Sequence, residues 1–113
     1  MKVCTLNEEN KTKRVVIKVA ISSSLKLRFK VLCIQKELTM SKVLEELIKK
    51  WIQADASISN FVSEPPIEDE DLKGYISERL KTQFKVVCTQ KGITMRFALY
   101  NLINQFLIES DLQ

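Results

Sequence analysis

The side chains able to do chemistry in this 113-residue sequence are amines, guanidiniums and thiols; imidazole is absent. Without His, the commonest general base is missing. The cysteines Cys4, Cys33 and Cys88 form no CxxC pair of the kind that holds zinc. No nucleophile stands beside a recognisable base, and no Gly-rich phosphate loop is written with only 2 Gly. The chain therefore reads as a non-enzyme with no metal site and no cofactor. What remains is charge. Residues 1–54 hold 12 Lys and Arg against 5 Asp and Glu, a balance of +7; residues 55–113 hold 6 against 9, a balance of −3, and together these give the formal +4. An amine-rich half suits a polyanion. Two of the amines, Lys18 and Lys73, occupy matching places in two short alternating segments.

Those segments belong to a repeat. Residues 25–52 align with 80–107 without a gap, and 13 of the 28 positions are identical, among them Phe29/Phe84, Cys33/Cys88, Thr39/Thr94 and Leu44/Leu99. Two copies are too few for a solenoid but suit a pair in which each covers the other's apolar face. In each copy, Leu25, Phe29, Leu32 and Cys33, or Leu80, Phe84, Val87 and Cys88, recur at helical spacing. A break follows at Glu37-Leu38 and at Gly92-Ile93. Gly92 suits the left-handed residue that ends a helix, whereas Glu37 does not. Thr39 and Thr94 then read as N-caps of a second helix, with Trp51 and Phe106 on its apolar side.

Ahead of each helix pair lies a strand pattern. Residues 14–21 place Val15, Ile17, Val19 and Ile21 on one face and Arg14, Val16, Lys18 and Ala20 on the other. Residues 71–76 place Leu72, Gly74 and Ile76 inward and Asp71, Lys73 and Tyr75 outward. Ser22 and Ser77 follow as helix caps. The expected organisation is a flexible arm over 1–13, a first unit over 14–53, an acidic and Pro-containing linker over 54–70, and a second unit over 71–109, both units in one compact domain. Pro65-Pro66 and the run Glu68-Asp69-Glu70-Asp71 favour extended chain in the linker. The start lacks the apolar stretch of a secretory signal and no run is apolar enough to span a membrane, so a cytoplasmic protein is expected.

A strand of this length has to pair. Strand-helix-helix written twice, with the two strands pairing antiparallel and four helices behind, resembles the ribbon-helix-helix fold of the Arc and Met repressor superfamily. The resemblance implies a mainly α fold with a two-stranded antiparallel β-ribbon and a double-stranded DNA partner, read through the major groove. In that family three alternate strand residues enter the groove; here these are Val16, Lys18 and Ala20, and Asp71, Lys73 and Tyr75. The base contacts implied are Lys18, Lys73, Tyr75, Ala20 and Val16. The family also docks phosphates on the start of the second helix, which implies Thr39, Met40, Ser41 and Lys42 in one copy and Thr94, Met95 and Arg96 in the other, with Arg14 beside them. In the family two chains usually supply the two units; here a monomer with an internal pseudo-dimer is implied, with higher assembly on DNA open to it.

Val16 and Ala20 can touch no more than a thymine methyl, and the acidic run would repel phosphate, so the two halves are expected to read unlike half-sites. A transcriptional repressor, a plasmid-partition centromere-binding protein and a relaxosome accessory protein share this contact chemistry; a partition motor or a toxin is the further protein partner that such roles imply. The acidic second half motivates a different reading, a protein-interaction module of antitoxin or scaffold type with little DNA binding. Cys33 and Cys88 read as inert core thiols, and Cys4 as the reactive one.

Overall fold

The computed structural model describes residues 13–61 and 70–111; Cys4, the expected arm apart from Lys13, and residues 62–69 of the expected linker lie outside the described residues. Among the described residues, six elements run in the order β1 (Arg14–Ile21), α1 (Ser23–Gln35), α2 (Met40–Gln53), β2 (Glu70–Ser77), α3 (Glu78–Lys91) and α4 (Met95–Asp111). The fold is mainly helical with one two-stranded antiparallel sheet, and the order strand, helix, helix occurs twice. β1 has the expected bounds. β2 is one residue longer at each end than the 71–76 pattern, because all eight residues of β1 find partners, from Arg14↔Ser77 to Ile21↔Glu70.

The strands alternate as their side chains dictate. Ile17, Val19, Ile21, Leu72 and Ile76 are buried under the helices, with Val15 half-buried, while Arg14, Val16, Lys18, Asp71, Lys73 and Tyr75 face out. The aromatic packing shows why neither copy closes on its own. Phe29 of α1 meets Phe106 of α4 edge to face at 5.9 Å, and the equivalent Phe84 of α3 meets Trp51 of α2 at 5.7 Å. Each unit's first helix thus rests its ring on the other unit's second helix. Full burial of such side chains stabilises by about 1.5–3 kcal/mol each, and a lone unit would leave them in water.

Helix ends follow the side chains named for them. Ser22 and Ser77 accept hydrogen bonds from the Leu25 and Leu80 amides at 3.2 and 3.1 Å. Each first helix ends in the same reversed turn, with Leu38 N–H on the Cys33 carbonyl at 2.9 Å and Ile93 N–H on the Cys88 carbonyl at 3.0 Å. Both turns need a left-handed residue: Gly92 has φ 75° and Glu37 has φ 60°. A residue with a Cβ is disfavoured in that conformation by roughly 1–2 kcal/mol, partly offset by the greater freedom glycine loses on folding. Glu37→Gly is therefore expected to stabilise the protein by about 1 kcal/mol, read as a rise in melting temperature; a fall would mean that the Glu37 side chain makes a contact of its own.

The α2 end does not run straight into open chain. Asp55 and Ala56 both have positive φ, the Ala56 amide returns to the Trp51 carbonyl at 2.8 Å, and Trp51 Nε1 donates to the Ser57 carbonyl at 2.9 Å. Phe61 then stacks on Trp51 at 5.7 Å and meets Phe97 at 6.0 Å. The described part of the segment after α2 is thus folded onto the core.

Cys33 and Cys88 are buried on the inner sides of α1 and α3. Burial disfavours the thiolate, raising the Cys33 thiol from its ordinary 9.0 and pushing Cys88 up to about 11. Above the ordinary value the unfolded chain gives up thiol protons that the folded chain retains, so stability falls as pH rises. The denaturant midpoint is expected to drop between pH 9 and about 11, and Cys33→Ala/Cys88→Ala should remove much of that drop. An unchanged drop in the double variant would assign it to other groups.

Candidate nucleic-acid interface

The outer face of the ribbon gathers the residues whose chemistry opened the sequence. Arg14, Val16, Lys18, Asp71, Lys73 and Tyr75 are exposed on it and Ala20 is half-buried. Register sets Lys18 directly opposite Lys73, Val16 opposite Tyr75 and Ala20 opposite Asp71. The repeat also makes Lys18 and Lys73 equivalent positions, and only on a pseudo-twofold axis can equivalent residues be cross-strand partners. That axis passes between the paired Lys18 and Lys73. Like charges directly opposed destabilise a strand pair. Asp71 lies 3.8 Å from Lys18 Nζ, an exposed pair that contributes little, and among the described residues Lys73 has no ion-pair partner. Among the described residues, the centre of the ribbon thus sets two cations against the single nearby carboxylate of Asp71.

The acidic run is less hostile to phosphate than its composition suggests. Of its two described members, Glu70 lies 3.2 Å from Lys26 Nζ and Asp71 lies beside Lys18.

At the start of α2, Thr39 Oγ1 accepts the Lys42 amide at 3.0 Å, and at the start of α4 Thr94 Oγ1 accepts the Phe97 amide at 2.9 Å. Met40 and Met95 are half-buried against the core. Lys42 pairs with Glu46 at 3.3 Å, one turn along, and Arg96 is exposed. Ser41 is committed to the sheet: its Oγ accepts the Tyr75 amide at 2.8 Å. That approach depends on Gly74. A Cβ there would stand 2.7 Å from Leu44 Cδ1 and 3.4 Å from both the Cα and Oγ of Ser41. The matching positions of the other copy are Val19 and Arg96, so this staple exists on one side of the axis alone.

Arg14 lies along β2 as well. Its Nη2 donates to the Tyr75 carbonyl at 3.0 Å and its Nη1 is 3.6 Å from Glu45 Oε2. The Tyr75 main chain is thus held through both its N–H and its carbonyl while its ring projects, 55% exposed. Lys81, which reads from sequence as a solvated helix lysine, donates Nζ to the Val16 carbonyl at 3.0 Å. No spacing rule foretells that contact, since it joins residues 65 apart across the pseudo-dimer.

Residues 23–54, which carry α1, α2 and the turn between them, match the family model described as 56B-like, ribbon-helix-helix. The helix pair of the first unit is thus similar to that of ribbon-helix-helix proteins, and β1 precedes it in the order that this fold requires. No curated protein and no solved structure matches the chain significantly. Ribbon-helix-helix proteins are DNA-binding regulators at the level of the family, with a β-ribbon as groove reader. Beyond the ribbon-helix-helix match, residues 70–111 share its element order and its caps. Among the described residues, no helix is long and apolar enough to cross a membrane, and no group of three His, Cys, Asp or Glu could hold a metal ion.

Proposed function

We propose that this chain is a tandem fusion of two ribbon-helix-helix units that binds double-stranded DNA sequence-specifically, with β1 and β2 lying together in the major groove. The observation that carries the reading is the Lys18–Lys73 pair, opposed on the exposed face at the pseudo-twofold axis. A ribbon about two strands wide fits the major groove, and lysine there bonds guanine O6 and N7. Tyr75 offers a hydroxyl and Val16 and Ala20 offer methyls to the same groove. The starts of α2 and α4, with Thr39, Met40, Ser41 and Lys42 and with Thr94, Met95 and Arg96, take the flanking phosphates through first-turn amides, the Lys42 and Arg96 side chains and the helix dipole. Arg14 serves from the edge of the ribbon, where Glu45 and the Tyr75 carbonyl orient it.

The two halves differ in what they present, Val16, Lys18 and Ala20 against Asp71, Lys73 and Tyr75. The site is therefore asymmetric or part of a direct-repeat array; selection of symmetric palindromes would contradict this. The role is that of a repressor or of a centromere-binding protein in plasmid partition, in the cytoplasm on nucleoid or plasmid DNA. Sites beside its own gene and a motor-protein gene favour partition with that motor as partner, sites over unrelated promoters favour repression, and a toxin gene alongside favours an antitoxin. A salt series on a selected site tests the reading: log affinity should fall linearly with log salt, with a slope of about −0.9 per phosphate neutralised. Absence of binding even at low salt would favour instead the interaction module that the acidic second half suggests.

A further inference from the structure

α1 is apolar on two sides. Its inner side buries Phe29 and Cys33. Its outer side exposes Leu27 at 62%, Val31 at 44% and Ile34 at 72%, and Leu38 continues the line just past the helix at 43%. Spacings of four, three and four put these side chains in one stripe. The repeat supplies an internal control. The same places in the second copy hold Thr82, Val86, Thr89 and Ile93, with Ile93 half-buried. A unit of this fold therefore forms with threonine at two of these places, and Leu27 and Ile34 are not demanded by folding. Beside the stripe, Leu27, Val31 and Leu32 of α1 and Leu107 of α4 line an open groove of about 290 Å³, with Arg28 and Gln35 at its edge. The charges of α1 are all positive, Lys26, Arg28 and Lys30; Arg28 and Lys30 flank the stripe on opposite sides, while Lys26 is turned to Glu70.

We propose that this face is a docking site for an acidic amphipathic helix of a partner protein. Apolar anchors at i, i+3 or i+4, and i+7 of such a helix match the stripe and the groove, and carboxylates beside them meet the exposed Lys30. Charge decides against a second copy seated α1 to α1, which would bring those cations against their own likenesses with no acid on either helix. Shape decides against a bilayer, because the stripe is one residue wide and borders a concave groove. Phosphate gains nothing from exposed leucine and isoleucine, so the face is separate from the DNA reader.

The test uses the full chain and two labelled synthetic helical peptides with the same leucine pattern, one flanked by Glu and the other by Lys. The Glu peptide is expected to bind and the Lys peptide not. Leu27→Thr/Ile34→Thr, which copies the second unit's own residues, should weaken the Glu peptide about a hundredfold while helix content and DNA binding stay unchanged. Equal binding of both peptides, binding of neither, or binding that the variant does not weaken would overturn the proposal. So would a dimer in sedimentation that the variant splits, which assigns the face to a second copy, or phosphatidylserine-vesicle binding that the variant abolishes, which assigns it to a membrane.

Discussion

Lys18→Ala/Lys73→Ala is expected to abolish specific DNA binding while slightly raising the melting temperature. The two effects have one origin. Each lysine bonded to a guanine edge is worth about 1–3 kcal/mol of discrimination, so the pair accounts for a factor of roughly thirty to twenty thousand in affinity for the chosen site. Neither side chain packs in the core; Lys18 is 60% exposed at its side chain. Opposed across the ribbon, the two ammonium groups repel, and relief of that repulsion is worth a few tenths of a kcal/mol or somewhat more. Lys73→Ala alone should show the rise more clearly, because it leaves the Lys18–Asp71 pair in place. Lys18→Ala alone removes that exposed pair together with the repulsion and should come out near neutral. A fall of several degrees in the double variant would mean that these amines hold the fold together.

Gly74→Val is expected to be strongly destabilising, although valine is the better strand former. Valine is the residue that the first copy carries in the matching position, Val19. The obstacle is on the helix side. The new Cβ would stand 2.7 Å from Leu44 Cδ1, and Leu44 is fully buried and cannot swing into solvent. Overpacking of this kind costs about 1–3 kcal/mol, and the displaced α2 start would lose the Ser41–Tyr75 hydrogen bond, worth about 1 kcal/mol. The sum of about 2–4 kcal/mol should lower the melting temperature by roughly 8 °C or more. Because the same shift moves the amides of the α2 start, affinity for DNA should fall in the folded fraction too. Ser41→Ala separates the two terms, since it breaks the hydrogen bond without crowding Leu44. A Gly74→Val protein as stable as the parent would show that α2 is free to slide on β2.

The ribbon's faces and the helix caps were legible in the sequence because they follow from local periodicity. Alternation alone assigns Ile17, Val19 and Ile21 inward and Val16 and Lys18 outward. Ser22, Thr39, Ser77 and Thr94 cap as their chemistry suggests. Period two does not fix which residues stand opposite one another, so the Lys18–Lys73 pairing needed the coordinates. Gly74 read as a gap in an apolar row, and its real service, a close approach by α2, is a tertiary fact. The repeat misleads over α4: the places of half-buried Glu45 and Glu46 are taken by Tyr100 and Asn101, both buried. Asn101 is tolerated there because its Nδ2 donates to the Phe97 carbonyl at 3.0 Å, one turn back. The resemblance places Arg14 beside phosphate, whereas its engagement with Glu45 and the Tyr75 carbonyl joins residues distant in the chain.

The most direct measurement is enrichment of bound fragments from a random duplex pool, run side by side with the natural chain and with Lys18→Ala/Lys73→Ala. The natural chain should enrich one asymmetric sequence with guanine at its centre, and the double variant should enrich none. Recovery of the same sequence by both proteins would show that some other surface reads the DNA.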